Sequence, residues 1–90
     1  MNLTDAIDSF NDWSAPWTFE ESVREKLAPD SEEAKIFEAL VAEASRFDHW
    51  NVSDLALGCK VAHAETKEAF PEVEDRVIAA VVRAASYDWK

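Results

Sequence analysis

Apolar residues recur along this chain at the three- and four-residue spacing of helices, in five successive segments. Such spacing places the large apolar side chains along one side of a helix, where they can face a core. The first three of these apolar stripes are Leu3, Ile7 and Phe10, then Phe19, Val23 and Leu27, and then Phe37, Leu40, Val41, Ala44 and Phe47. The pattern predicts an all-α fold.

The fourth and fifth segments contain more alanine, and their core sides are less distinct. Segment four, which is expected to end near residue 70, offers two stripes: Leu55, Cys59 and Ala62, or Leu57, Val61 and Ala64. Gly58 either allows close contact with a neighbouring helix or weakens the middle of the segment. Segment five is expected to start at Pro71, since proline is favoured in a first helical turn. It contains VIAAVVRAA, which is apolar nearly all round and therefore typical of a central helix.

The first two helices have local start and stop signals. Segment one is expected over about residues 4–12, followed by a linker, SAPW, at residues 14–17. Segment two is expected to begin at Thr18. Thr18 and Glu21 match a capping box, in which each side chain accepts a hydrogen bond from the other residue's backbone N–H. Pro29 ends this segment.

Two further helix starts carry capping residues. Segment three is expected to begin after Asp30 or Ser31, because Asp30 and Glu33 form a second capping-box pattern. Asn51 or Ser53 is expected to cap segment four. The sequence thus predicts one domain over residues 1–90, a compact bundle of four to five short helices with segments three and five at its centre.

Glycine is almost absent, and this excludes several classes of site. The chain contains one glycine. Phosphate-binding loops, dinucleotide fingerprints and EF-hand turns all need glycine at set positions, because only glycine lets the backbone turn or approach in that way. Tight β-hairpins also favour glycine, which argues against a β-rich fold.

The chain is strongly acidic, with a net charge of −10. The imbalance is concentrated in residues 1–33, where nine acidic and two basic residues give −7. Phosphate groups are repelled by such a charge, so direct binding to nucleic acid or to an anionic membrane is not expected. The start of the chain does not read as a signal peptide, and no apolar run approaches the roughly 20 residues that span a bilayer. With its single cysteine, the chain is expected to be cytoplasmic.

Cys59 and His63 are the strongest candidates for catalytic or metal chemistry, because they lie four residues apart on one helix face. A metal site needs three or four ligands, and the only other histidine is His49. A thiolate nucleophile in the middle of a helix is poorly placed for catalysis. We therefore interpret the pair as a small core thiol beside an ordinary histidine. The sequence predicts no enzyme, no metal site and no cofactor.

An aromatic residue, an aspartate and a tryptophan follow one another closely at three places: FNDW at 10–13, FDHW at 47–50 and YDW at 87–89. Each set lies at or near the end of an expected helix; segment three, for example, should reach about Asp48. The rings can close the ends of the bundle, or an exposed Trp and Asp can form a contact surface. Helix-end packing is the favoured interpretation, with Trp13 the residue most expected to make contact.

The acidic N-terminal third is the candidate binding surface. Carboxylates three or four residues apart on a helix lie about 5–6 Å from each other and can imitate a row of phosphates. The predicted partner-binding residues are Asp12, Trp13, Trp17, Glu20, Glu21, Glu32 and Glu33, with Trp13, Trp17 or Phe19 as the anchor. The simpler interpretation, that these charges only keep the protein in solution, stays open.

These residues predict a non-enzymatic binding protein of the inhibitor or immunity type, which masks a basic partner protein, for example one that handles nucleic acid. In bulk composition the chain is similar to small acidic inhibitors such as colicin-type immunity proteins, and no sequence motif ties it to any of them. The alternative is a structural homo-oligomer, or a small accessory subunit of a larger complex. Either would use an apolar face left on segment four or five.

Overall fold

The computed structural model describes residues 2–46, 50 and 54–87. Over these residues it contains five α-helices, one 3₁₀ turn and no strand. In chain order the elements are α1 (Leu3–Asp8), the 3₁₀ turn (Pro16–Thr18), α2 (Phe19–Lys26), α3 (Glu32–Ala44), α4 (Leu55–Ala69) and α5 (Asp75–Ser86). The predicted all-α bundle of short helices is confirmed. The predicted caps Asn51 and Ser53 lie outside the described residues, as does the predicted end of segment three near Asp48.

Helices α3 and α5 form the middle of the bundle, as predicted. α5 packs against α1, α3 and α4, and α3 also packs against α1 and α4. The side of α5 that faces these helices is formed by Val77, Ile78, Val81, Val82, Ala85 and Ser86. The Cα radius of gyration is 12.4 Å, close to the roughly 12 Å expected for a compact chain of this length.

The apolar stripes of the first three segments face the core. The Leu3 stripe and the Phe19 stripe are buried along their whole length, and in α3 the buried members are Phe37, Leu40 and Ala44. Val41 is half-buried against them, and the last predicted member, Phe47, lies outside the described residues. Large apolar side chains at helical spacing were thus sufficient to identify these three core faces.

Helix α4 buries only part of one of the two stripes predicted for it, because Ala62 of the first stripe is buried and Cys59 is half-buried against the core. Its buried line is Gly58, Ala62 and Thr66, which are four residues apart and therefore on one side of the helix. Leu55 and Leu57, the first members of the predicted stripes, are 38% and 45% exposed. α4 packs against both α3 and α5, and small side chains allow its backbone to come close to them. Gly58 belongs to this contact line.

Helix α1 is shorter than predicted, because it ends at Asp8 and not near residue 12. The backbone N–H of Ser9 donates a hydrogen bond to the carbonyl oxygen of Asp5, which closes the last turn of the helix. The N–H of Phe10 then bonds to the carbonyl oxygen of Ile7, 3.1 Å away. The chain leaves the helix there, and the Phe10 ring still packs in the core.

The capping box predicted at Thr18 does not form. Thr18 already has a helical conformation, with φ −89° and ψ −5°, since the 3₁₀ turn from Pro16 to Thr18 runs directly into α2. Its hydroxyl group donates a hydrogen bond back to the carbonyl oxygen of Ala15, at 2.7 Å. Thr18 therefore lies one turn inside a helical path that begins at Pro16, where proline is favoured.

The capping box predicted for α3 is also wrong in detail. Ser31 is the N-cap, and its hydroxyl oxygen accepts a hydrogen bond from the backbone N–H of Ala34 at 3.1 Å. Asp30 instead has a positive φ of 61°, a left-handed conformation that Asp tolerates in turns. The Glu33 carboxylate accepts a hydrogen bond from the backbone N–H of Leu3 at 2.8 Å and so joins α3 to the start of α1.

Helix α5 starts at Asp75, four residues later than predicted. Pro71 lies in a turn, closed by a hydrogen bond from the backbone N–H of Val73 to the carbonyl oxygen of Phe70. This turn packs Val73 against the core. Glu74 is extended, with ψ 143°, and forms the N-cap. Helix α4 ends at Ala69, in agreement with the prediction.

Candidate interaction surface

An aromatic cluster fills the space between α1 and the start of α2. The Trp13 ring meets the edge of Phe10, with ring centroids 4.9 Å apart, and stacks on Phe19 at 5.5 Å. The guanidinium carbon of Arg83 lies 4.1 Å from the centroid of the Trp13 ring. Phe19 is fully buried and Trp13 is half-buried. These contacts assign Phe19 to the core and most of the Trp13 surface to packing.

Trp17 lies in the adjoining 3₁₀ turn and, unlike Trp13, is largely exposed to solvent. It is 75% exposed, the highest value among the exposed large apolar residues. It lines a small cavity of about 60 Å³, together with residues that include Val41 and Val81. Of the three predicted anchors, Trp17 is therefore the one whose ring is available to another molecule.

Two of the predicted carboxylates lie next to Trp17. Glu20 and Glu21 follow it by three and four residues on the same helical path, a spacing that brings side chains to one side of a helix. Glu20 is 3.9 Å from the Arg24 guanidinium. Glu21 is exposed, as is Glu25 one turn further on. Glu25 is absent from the predicted contact residues, although its four-residue distance from Glu21 was visible in the sequence.

The other predicted carboxylates have different positions. Asp12 is exposed, and its carboxylate accepts a hydrogen bond from the Ser14 hydroxyl at 2.7 Å. Glu32 is exposed in the first turn of α3. Glu33 is half-buried and holds the backbone of Leu3. The predicted set thus separates into an α2 group beside Trp17, two exposed carboxylates elsewhere and one structural carboxylate.

Ion pairs neutralise part of the acidic N-terminal third. Arg76 at the start of α5 reaches Asp8 at 3.1 Å and Glu74 at 2.9 Å, and the hydrogen bond to Glu74 is the main cause that raises the pKa of Arg76. Arg24 and Glu38 form two hydrogen bonds, of 2.5 and 2.8 Å, between α2 and α3. These bonds raise the pKa of Arg24 and lower the pKa of Glu38.

Cys59 and His63 do not belong to a metal-ligand cluster in the part of the chain that the structure describes. No group of three or more His, Cys, Asp or Glu side chains stands close enough there to hold a metal ion. The nearest carboxylate contact is with Asp75, 3.8 Å from the imidazole Nε2 of His63. Cys59 is a half-buried free thiol. His49 lies outside the described residues.

Trp50 shows helix-end packing at the FDHW site. It is 8% exposed, and its indole N–H donates a hydrogen bond to the carbonyl oxygen of Ala44, the last residue of α3, at 2.8 Å. The last carbonyl groups of a helix have no partner within the helix, so this bond satisfies one of them. The first three residues of FDHW, and Asp88 and Trp89 of the YDW site, lie outside the described residues.

The helices described, between residues 2 and 87, include none that is long and apolar enough to cross a membrane. Comparisons with protein-family models, with curated proteins and with solved structures gave no match.

Proposed function

We propose that the protein is a non-enzymatic binding protein, which masks a basic surface of a partner protein with Trp17 and the outer carboxylates of α2. The observation that carries the proposal is the exposure of Trp17, at 75%. The indole of Trp50, in contrast, is buried and hydrogen-bonded. Tryptophan is enriched among the residues that contribute most to protein–protein binding, because burying its large ring in an interface is favourable.

The carboxylates beside Trp17 indicate that the partner's binding surface is positively charged. Glu21 and Glu25 are exposed, and neither forms an ion pair with a described residue. Their four-residue spacing places them on the side of α2 opposite the buried Phe19 and Val23. They therefore remain available for Lys or Arg side chains of a partner. Facing charges of opposite sign speed association and make it dependent on salt.

The structure also decides which residues should be changed in a test. Glu33 holds the backbone of Leu3, so reversing its charge would disturb the fold as well as the surface, and Glu20 already faces Arg24 at 3.9 Å. The variant E21K/E25K/E32K changes three exposed residues and moves the net charge from −10 to −4. Its matched control, E65K/E68K/E72K, makes the same charge change at exposed positions on and just after α4.

The test is affinity enrichment from a lysate of the native cell, followed by quantitative mass spectrometry. The immobilised baits are the wild-type chain, the two triple variants and Trp17→Ala. At low salt we expect one basic protein to be retained by the wild type and by the control triple variant. It should be lost at about 0.5 M salt, where charges are screened beyond a few Å, and lost with E21K/E25K/E32K and with Trp17→Ala. Equal retention by E21K/E25K/E32K would contradict the proposal.

A second candidate function is self-association through the start of α4. Leu55 and Leu57 are 38% and 45% exposed, and two neighbouring exposed leucines favour a further contact. A homo-oligomer or accessory subunit of this kind predicts concentration-dependent association with little effect of salt. Sedimentation velocity should then show association of the wild type and a monomer for L55S/L57S. A wild-type monomer at high micromolar concentration would exclude the homo-oligomer.

A further inference from the structure

The basic residues of this acidic chain differ in whether they have a partner. Eight of the nine lie within the described residues. Those with an oxygen partner are Arg24, Lys26, Arg46, Lys67 and Arg76. Lys35, Lys60 and Arg83 have no oxygen partner among the described residues. The chain has 19 acidic residues and nine basic ones, yet these three have no oxygen partner, and they indicate where a ligand could supply a carboxylate.

Lys60 and Arg83 line the same open groove between α4 and α5, which has a volume of about 500 Å³. Its floor is apolar and includes Ala64, Ala79 and Val82, and its lining also includes His63, whose imidazole lies 3.8 Å from Asp75. None of the described residues that line it carries a carboxylate. The groove therefore combines an apolar floor with cationic edges, in a protein whose net charge is strongly negative.

Arg83 is held in position before any ligand arrives. Its guanidinium carbon lies 4.1 Å from the centroid of the Trp13 ring, and that ring is fixed by Phe10 and Phe19. A guanidinium stacked on an aromatic ring keeps its N–H groups in the plane free to donate. A carboxylate can then form two parallel hydrogen bonds with it at a low cost in side-chain entropy.

We propose that this groove binds an acidic amphipathic helix of a partner protein, whose apolar side chains lie on the floor and whose carboxylates bond to Arg83 and Lys60. The small residues Ala64 and Ala79 let another helix approach closely. The α5 part of the lining, Ala79 to Ser86, spans about 10.5 Å of helix. This is the distance between the i and i+7 anchors of a helix that binds in a groove.

A partner helix fits better than a second copy of this chain. Two copies carry −10 each, and like charges of that size oppose association. A short helix brings fewer carboxylates than a second copy does, so the repulsion is smaller. The surface is separate from the Trp17 surface and has the opposite charge, so this inference does not depend on the proposed function.

The test uses two synthetic helices and ¹⁵N-labelled protein. The first probe has Leu at positions i, i+3, i+4 and i+7 and Glu at the flanking positions, and the second has Lys in place of each Glu. We expect the Glu helix to shift the amide signals of residues 59–64 and 79–86 in a saturable way, and the Lys helix to leave them unchanged. K60Q/R83Q should weaken binding about tenfold or more, since it removes the charge-assisted hydrogen bonds.

Two controls complete the design. Lys35→Gln removes a third cation without an oxygen partner, outside the groove, and should bind the Glu helix like the wild type. Ala79→Glu places a carboxylate on the floor at an exposed position and should abolish binding without unfolding the protein. E21K/E25K/E32K should bind the probe at least as well as the wild type, which separates this surface from the one beside Trp17.

Several results would overturn the inference. One is the absence of saturable shifts up to about 1 mM probe. Another is equal binding of the Glu and Lys helices, or unchanged binding by K60Q/R83Q. Groove shifts that appear on concentrating the protein without a probe would identify a second copy as the occupant instead.

Discussion

Helices α4 and α5 are neighbours of similar length, yet they pack in different ways. α5 buries large branched side chains such as Ile78 and Val81, whereas α4 buries Gly58, Ala62 and Thr66 and leaves Leu57 partly in water. α5 contributes apolar volume to the core. α4 contributes small side chains, which allow the neighbouring helices to approach its backbone closely. The comparison shows that a helix can pack against two neighbours without large apolar residues on its buried side.

The largest expected effect comes from removing volume from α5. Ile78 is fully buried, and Ile78→Ala should lower the free energy of unfolding by about 2–5 kcal/mol, because it removes apolar contacts and leaves a cavity. The matched change on α4, Leu57→Ala, should cost roughly 0.5 kcal/mol or less, since that side chain is 45% exposed. Urea unfolding followed by circular dichroism measures both. Equal losses of stability in the two variants would show that these side chains of α4 and α5 contribute equally to the core.

The reverse experiment adds volume to α4. Ala62 is fully buried between its neighbours, so Ala62→Leu should push the helices apart and cost about 1–3 kcal/mol. Ala64→Leu makes the same change at an exposed position of α4 and should be nearly neutral. Thermal unfolding of the two variants under identical conditions provides the comparison. A tolerated leucine at position 62 would show that the contact line is not closely packed.

A smaller effect, of opposite sign, is expected at Thr66. Its side chain is fully buried, and its hydroxyl oxygen has no hydrogen-bond partner among the described residues. Thr66→Val keeps the shape and removes a buried polar group, so it should raise the free energy of unfolding by about 1 kcal/mol. Thr66→Ser, which keeps the hydroxyl and loses the methyl group, is the control and should destabilise. A loss of stability with valine would mean that the hydroxyl is hydrogen-bonded in solution.

The smallest effect concerns the charges that join the two helices. Asp75 at the start of α5 lies 3.5 Å from the ammonium group of Lys67 on α4. Its side chain is 75% exposed, and exposed pairs contribute about 0.2–1 kcal/mol. Asp75→Asn should therefore cost less than Ala62→Leu, and the loss should shrink in high salt. Denaturant midpoints at low and high salt test this. A loss as large as that of Ile78→Ala would show that charge, and not packing, joins α4 to α5.

Much of the fold could be read from the sequence, because large apolar residues at helical spacing have few alternatives to the core. The stripes beginning at Leu3, Phe19 and Phe37 were identified in this way. Helix α4 was not, since its alanines lie on every side and do not mark the buried one. Capping patterns failed where another interaction was available. Glu33, for example, bonds to the backbone of Leu3 and leaves the cap to Ser31.

The candidate site was only partly predictable. Trp13 and Trp17 are only four residues apart, and nothing local shows which ring turns inward. The choice depends on Phe19 and on Arg83, which is 70 residues away from Trp13 in the chain. In the same way, the groove cations come from two helices, and only the folded structure shows that they lack an oxygen partner among the described residues.

The exposed ring of Trp17 also gives the protein a built-in optical signal. An indole in water emits at longer wavelengths than one enclosed by protein, and Trp17 is 75% exposed while Trp50 is buried. The difference between the emission spectra of the wild type and Trp17→Phe therefore isolates one surface position. A blue shift of that difference spectrum would report that the surface had been covered, in a titration that needs no dye and no label on either molecule.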